Sequence, residues 1–322
     1  MQPIERENIM LKSFRELSGQ PNTKSLDEHA GDGNREPGTF LVIPYFSGDE
    51  GRPGIERPLD ASHPTYACSS IVVNGMPGSN QFTRGVATSV TVDVANWGNG
   101  TTVAPVQIAL WWAEPATGFT TGAPLGQAVV GVPTGGATYT SPPIVGIIPL
   151  TAPPHVCLFA RVSSPFDAAS SSTIDPTNDR HWAQLNLFDV SSSPNSEMHF
   201  GFWAGNPFSR AAAFRIEART VTGERLRLLE YATRMNLTAV EGLVLELQAM
   251  ALRRGRPEEQ RALKITLGPG ARRAFHLTAK LPAHFPATGA TIIEILQWQE
   301  GGEGSGLVGS IGLIVRNGTR GP

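Results

Sequence analysis

The feature that most constrains this chain is a recurring one. Segments of five to ten residues alternate apolar and polar side chains, and Gly, Pro, Asn or Ser closes each of them. CSSIVVN (68–74), SVTVDVANWG (89–98), VQIALWWA (106–113), VCLFARV (156–162) and WAQLNLFDV (182–190) follow one another in the first two thirds of the chain. A second series runs through MHFGFWAGNP, AAFRIEARTV, ALKITLGPG, AFHLTAKLP, ATIIEILQWQ and LVGSIGLIVRNG. A period of two is the period of a strand, whose side chains point in turn to opposite faces. Short strands at such spacing between turn residues indicate an all-β sandwich. With 35 Gly and 26 Pro in 322 residues and only 17% charged residues, the composition supplies many turns and little long helix. Alternation also assigns faces. Val90, Val92 and Val94 share one, Val106, Ile108, Leu110 and Trp112 a second, and Val156, Leu158, Ala160 and Val162 a third. These are the expected core.

Around the strands the chain divides into an arm and two domains. Residues 1–58 read as an N-terminal arm and linker: an amphipathic helix over 3–18, then a polar stretch rich in Gly, Pro and acids. The helix is either a loose extension or a docking and assembly tag. The island Phe40-Leu-Val-Ile-Pro-Tyr-Phe46 interrupts the linker and is suited to dock or to add a strand. Residues 59–194 form the first sandwich, the SSSPNS run at 191–196 marks a boundary, and residues 195–322 form the second. A helical or mixed insertion is expected near 237–256, where LTAVEGLVLELQAMALRR fits either a helix or a strand followed by a helical turn. Residues 1–195 hold 10 Lys and Arg against 17 Asp and Glu, and residues 196–322 hold 16 against 11. Opposite signs favour packing of the halves on each other or head-to-tail contact between copies, although ordinary surface variation gives the same totals.

Several function classes are disfavoured. A pI near 6.4 argues against binding nucleic acid through overall charge. Arg253, Arg254, Arg256, Arg261, Arg272 and Arg273 are interspersed with Glu258 and Glu259, as on a mixed solvated surface. No apolar run has the length of a membrane helix, and the opening MQPIERENIMLKSFRELSGQ lacks the apolar centre of a secretory signal. The expectation is a cytoplasmic chain, with export by a signal-less route left open. HExxH, CxxC, GxSxG and GxxxxGK[ST] are absent, and the Gly-rich GGEGSG at 301–306 reads as a hairpin tip rather than a Rossmann-type GxGxxG, so neither an enzyme nor a cofactor is expected. The weak metal candidates are His155 and Cys157, two apart on one strand and approachable by Cys68 or His181, and Asp175 and Asp179 in the loop SSPFDAASSSTIDPTNDR. That loop also carries Asp167 and Asn178, and Asp and Asn are ordinary turn formers. Whether Cys68 and Cys157 pair is left open.

The aromatic residues carry the most information. If Val156, Leu158, Ala160 and Val162 face inward, then Cys157, Phe159 and Arg161 face out; the same logic turns Trp111 and Trp182 outward. Trp111, Phe159, Trp182 and Arg161 then form one patch and are the expected interaction residues. An apolar patch of that size marks a contact. Three covers fit it: the second domain or the 40–46 segment of the same chain, a protein partner or second copy, or a carbohydrate.

The strand SSIVVNG (69–75), the strand and turn VTVDVANWGNGTT (90–102), and VQIALWWAEP (106–115) resemble bacterial Ig-like modules of the cell-adhesion-related, CARDB-like type. PHVCLFARVSSPFD (154–167) and DRHWAQLN (179–186) are similar to their paired closing strands, and the likeness extends over 60–318. The resemblance implies two tandem Ig-like β-sandwiches behind a short helical or extended arm. It also implies a non-enzymatic structural or adhesive protein that uses an aromatic sheet face and loops for protein contact or self-assembly. It carries no catalytic residue. The alternatives are a hydrolase or toxin-delivery accessory with a site in loops, and a carbohydrate-binding module.

Overall fold

A computed structural model describes residues 38–59, 63–77, 81–119, 122–170, 173–250, 261–285, 289–301 and 306–318. The helix expected over 3–18 lies outside the described residues. Nearly all the regular structure is β, in four sheets among the described residues.

The first sheet is centred on β4 (Ala87–Asn96), with β1 (Leu41–Val42) on one side and β2 (Ile71–Val73) and β3 (Met76–Pro77) on the other; β7 (Thr138–Thr140) and β8 (Ile144–Ile147) also pair with β4. The hairpin from β2 to β3 turns on Asn74 and Gly75, whose φ values of 49° and 73° are those of the Asn-Gly turn that matches strand twist. The second sheet has the order β10 (Trp182–Leu185), β9 (Cys157–Ser163), β5 (Ala104–Ala113), β6 (Ala123–Val132), all antiparallel. Between these two sheets lies one apolar core. It contains Val90, Val92 and Val94 from one side and Val106, Ile108, Leu110, Val156, Leu158, Ala160 and Val162 from the other, as the alternation expects.

The third sheet runs β11 (Leu187–Ser192), β18 (Gly306–Asn317), β17 (Ala290–Glu300), β13 (Ala212–Thr220), β15 (Ala262–Leu267). The fourth is β12 (Glu197–Gly205), β16 (Arg272–Lys280), β14 (Val244–Ala249). Phe200, Phe202, Phe275, Leu245 and Leu247 of the fourth meet Phe214, Ile216, Ile293, Ile295, Ile311 and Leu313 of the third in a second core.

Three features differ from the sequence reading. The stretch 38–58, within the residues read as arm and linker, is built into the fold, with the 40–46 island adding a strand as one of its two expected roles: β1 pairs Leu41 with Asn96 and Val42 with Ala95, and Leu41, Val42 and Ile43 are fully buried. The rest of that stretch is held by Asp49, which takes both terminal nitrogens of Arg57 at 3.0 Å and also accepts from the Tyr45 and Gly51 amides. Second, the segment 182–190 is not one strand. It divides at Asn186, so that β10 belongs to the second sheet while β11 runs parallel to β18 in the third. The chain thus enters the third sheet before the Ser-rich run. Third, a helix lies upstream of the expected insertion, of which residues 251–256 lie outside the described residues. α1 (Gly223–Thr233) buries Leu226, Leu229 and Thr233, a helical spacing, whereas Val244–Ala249 buries Leu245 and Leu247, a strand spacing.

The two cores are joined by strands that are buried on both faces. Ile293 and Ile295 of β17 point into the second core, while Ile292 and the neighbouring Ile314 of β18 belong to the first. Glu294 lies on the Ile292 face with no exposed surface. Its carboxylate takes Arg219 Nε at 2.5 Å and Arg225 Nε and Nη2 at 2.8 and 2.6 Å, and Tyr66 Oη from the first half donates to it at 3.2 Å. Beside it Ser310 contacts Thr65 through its hydroxyl and accepts from Gln184 and Asn186 at its carbonyl, 3.0 and 3.3 Å. Removing one partner of a buried charge group leaves the others desolvated and unpaired. Glu294→Ala should therefore lower unfolding stability by about 3–5 kcal/mol, read from the urea midpoint. Arg219, which is 39% exposed, should lose no more than about 1 kcal/mol on replacement by Ala. Equal losses for the two variants would show that Glu294 does not anchor the seam.

Candidate functional site

The expected aromatic patch exists and is internal. The Trp111 and Trp182 rings stand 5.3 Å apart, and the Arg161 guanidinium lies 5.1 Å from the first and 5.4 Å from the second. Phe159 meets Phe119 edge-on at 4.4 Å. Cys157, Phe159 and Trp182 belong to the second core, and Trp111 packs against it half-buried. Cys157, Phe159, Trp182 and Trp111 thus turn away from the first core. Of the three covers, the second half of the same chain is the one present. Its apolar strands face this side of the second sheet, leaving Phe159 and Trp182 at 0% and 2% exposure.

The four weak metal candidates are dispersed. Cys157 is fully buried and its thiol is pushed far up by burial; Cys68, also pushed up by burial to about 12, lies in the other core. Both thiols are free. Asp175 accepts from the Asn178 amide and side chain at 3.1 and 2.8 Å, a local turn. Asp179 instead serves His181. Among the described residues no group of three or more His, Cys, Asp or Glu side chains is arranged to hold a metal ion.

His181 is the most enzyme-like residue in the chain, and its surroundings close it off. Its Nδ1 lies 2.6 Å from Asp179 and its Nε2 lies 3.1 Å from Asp167, at 2% exposure. Burial alone would lower its pKa from 6.5, but the hydrogen bonds to Asp167 and Asp179 outweigh it and raise the value. For Asp179, burial would raise the pKa; the hydrogen bond with His181 outweighs that and holds it at about 2. Ser170 Oγ donates to Asp179 at 2.8 Å rather than to the imidazole, so the constellation is not a nucleophile with its base. It is a clamp. Asp167 also accepts from the Leu41 amide at 2.6 Å and pairs with Arg180 at 2.7 Å, and Arg180 covers the Phe40 ring at 3.8 Å. The cluster therefore lashes residues 40–43 to the loop before β10.

The accessible feature is a cleft of about 370 Å³ lined by Glu114, Pro115, Pro153, Pro154, His155, His199, Phe200, Gly201 and Trp203. Its walls come from the end of β5, the loop before β9, and β12. Two backbone hydrogen bonds fix them together: Thr117 N donates to Trp203 O, and Trp203 N to Pro115 O, both at 2.9 Å. Arg272 places its guanidinium 4.4 Å from the Trp203 ring and reaches Glu114 at 3.3 Å. His155 packs against Phe188 and Phe200 at 5.3 and 5.9 Å, and burial lowers its pKa. Of the sequence-selected residues only His155 lies here. Glu114, His199 and Trp203 were missed, because they come from separate segments; the one local signal is His199, Gly201 and Trp203 on the outer face of a single strand.

No family model matches the chain, and no curated protein does. Solved structures with some similarity include a tip adhesin of Pseudomonas aeruginosa, at 9% identity and a TM-score of 0.22, covering 77% of this chain and 97% of that one. The adhesive subunit of a fimbria of enterotoxigenic Escherichia coli gives 8% identity and a TM-score of 0.23, over 87% and 93%. A family 123 glycoside hydrolase of Clostridium perfringens gives 10% identity and a TM-score of 0.26 over 41% of this chain, which spans only 23% of that protein's length.

The clamp gives a pH dependence with a definite sign. Stability from charged His181 is complete below its ordinary value of 6.5 and is lost as pH rises through the raised folded value. Stability from Asp179 is complete above 3.8 and is lost as pH falls towards about 2. His181→Ala should therefore melt below the native chain by the widest margin between about pH 4 and 6, with the gap narrowing above about pH 7. A gap that stays constant across this range in thermal melts would show that the imidazole is held neutral.

Proposed function

We propose that this chain is a non-enzymatic adhesive protein, built as two tandem Ig-like sandwiches of the CARDB-like kind, that engages a protein partner at the Trp203 cleft. The observation that carries the reading is the Trp203–Arg272–Glu114 group. Trp and Arg dominate the energetics of protein contacts when they are held in a pocket. Here an ion pair and a cation–π contact fix the ring before any partner arrives, so little side-chain entropy remains to be lost on binding. The cleft volume is also within the range of binding pockets, roughly 300–1,000 Å³.

The same group argues against chemistry at this place. Glu114 is engaged by Arg272, and His155 is stacked among phenylalanines. His181, flanked by two carboxylates, is enclosed elsewhere as a clamp. A carbohydrate partner is the second reading, supported by an aromatic ring beside a carboxylate and two imidazoles in one cleft.

The test uses beads coated with the full chain and a panel of immobilised extracellular proteins and glycans. Trp203→Ala should reduce retention on the responding surface at least about tenfold, with Lys264→Ala, remote from the cleft, unchanged. Retention confined to glycans selects the second reading. No retention anywhere, or turnover of chromogenic glycosides by the native chain, overturns the adhesive proposal.

A further inference from the structure

The outward face of the fourth sheet carries two histidines from neighbouring strands. In the register of β12 and β16, His199 lies opposite Thr278 and Gly201 lies opposite His276. The two rings meet diagonally across the strand pair, with centroids 5.2 Å apart and planes at 27°. His199 Nδ1 stands 3.1 Å from His276 Nε2. We propose that these two nitrogens are a chelating site for a divalent transition-metal ion of the Zn²⁺ or Cu²⁺ type.

The geometry carries the assignment. With metal–nitrogen bonds of about 2.0–2.1 Å, two imidazole ligands of one ion stand about 2.9 Å apart at a right angle and about 3.3 Å apart at the tetrahedral angle. The observed separation lies between these, so an ion can enter with small ring rotations and no backbone movement. The sheet supplies the rigidity, since both residues lie within the strand pairing that runs from Glu197–Lys280 to Gly205–Arg272. Two neighbours suit the outer sphere. Glu197 has a carboxylate oxygen 3.9 Å from His199 Nε2, on the ring edge away from the proposed ion, where its negative charge favours a bound cation. The Thr278 hydroxyl lies 3.4 Å from His199 Nδ1, within reach of a water on the ion. Among the described residues no third His, Cys, Asp or Glu completes the set, so the remaining positions belong to water or to an incoming donor. Imidazole is a ligand common to Zn²⁺ and Cu²⁺, whereas Ca²⁺ and Mg²⁺ require oxygen. This inference does not depend on the adhesive reading, although His199 also lines the Trp203 cleft.

The experiment titrates the full chain with ZnCl₂ and, separately, CuCl₂ by calorimetry at about pH 7.5, following imidazole resonances by NMR in the Zn²⁺ titration. One ion per chain should bind with shifts confined to His199 and His276. His199→Ala and His276→Ala should each weaken binding more than about tenfold, while His284→Ala, on an exposed loop, should not. Affinity should also fall as the solution is made more acidic, because protons compete with the ion for the ligand nitrogens. His199→Gln and His276→Gln, which keep polar side chains on the sheet face, serve if an alanine variant melts early in EDTA. No binding of either ion by the native chain, or undiminished binding in both variants, overturns the proposal.

Discussion

A carboxylate with no exposed surface stands in the middle of the apolar run ATIIEILQWQ, and much of the arrangement of this protein follows from what that charge requires. An isolated buried carboxylate is unstable by many kcal/mol, so Glu294 needs cations and donors brought to it. Arg219 comes from the adjacent strand β13 and Arg225 from the first turn of α1. Tyr66 comes from the other half of the chain. Meeting all three fixes where the helix lies and how the first half seats on β17. The helix then places Leu226 and Leu229 in the first core, although they are encoded in the second half. Polar satisfaction and apolar burial therefore specify the same docking.

The seam is also set by backbone. Asn186 lies where the chain passes from the second sheet to the third: its amide donates to Tyr66 O at 2.8 Å, and its carbonyl accepts from Gly312 at 3.1 Å. Thr117 and Gln297 bond to one another at 2.7 Å, and Gln297 reaches Gly205 O at the same distance. Around them the main chains approach so closely that a Cβ on Gly118 would collide with the Gly205 carbonyl and one on Gly309 with the Thr117 carbonyl. These glycines serve close approach rather than turning, since none of the three has a positive φ. A hinge between halves is hard to reconcile with such contacts, and the cleft walls, one from each half, inherit that rigidity.

The placement of the aromatics changes where function is to be sought. Trp111, Phe159, Trp182 and Arg161 have the composition of a binding hot spot, and the structure packs them towards the core of the second half of their own chain. Strands β9 and β10 are consequently buried on both faces, whereas β6 and the first part of β5 keep an exposed outer face that carries Gln107 and Gln127. What remains accessible is smaller and more polar: the Trp203 cleft, and the histidine pair on the sheet beside it. Neither has the acid–base or nucleophile arrangement that the enclosed His181 cluster superficially suggests.

The sequence alone determined many of the strands, their faces and the residues that β4, β5 and β9 give to the first core, because a two-residue period reports the local geometry of a strand wherever it folds. It also identified the residues that turn away from that core. It could not say what covers them, since the covering strands lie far along the chain and alternation carries no information about partners. For the same reason it read residues 38–58 as linker, with only the 40–46 island suited to dock or to add a strand. Their composition is that of a loop, and only the Asp49–Arg57 pair, the β4 edge and the Asp167–His181–Asp179 clamp make them part of the fold. The division of 182–190 at Asn186 was equally invisible, because a strand that changes sheets keeps its period on both sides of the crossing. Glu114, His155, His199 and Trp203 are ordinary surface residues in sequence. Tertiary structure alone makes them neighbours, through backbone bonds between Pro115, Thr117 and Trp203 that no local pattern encodes.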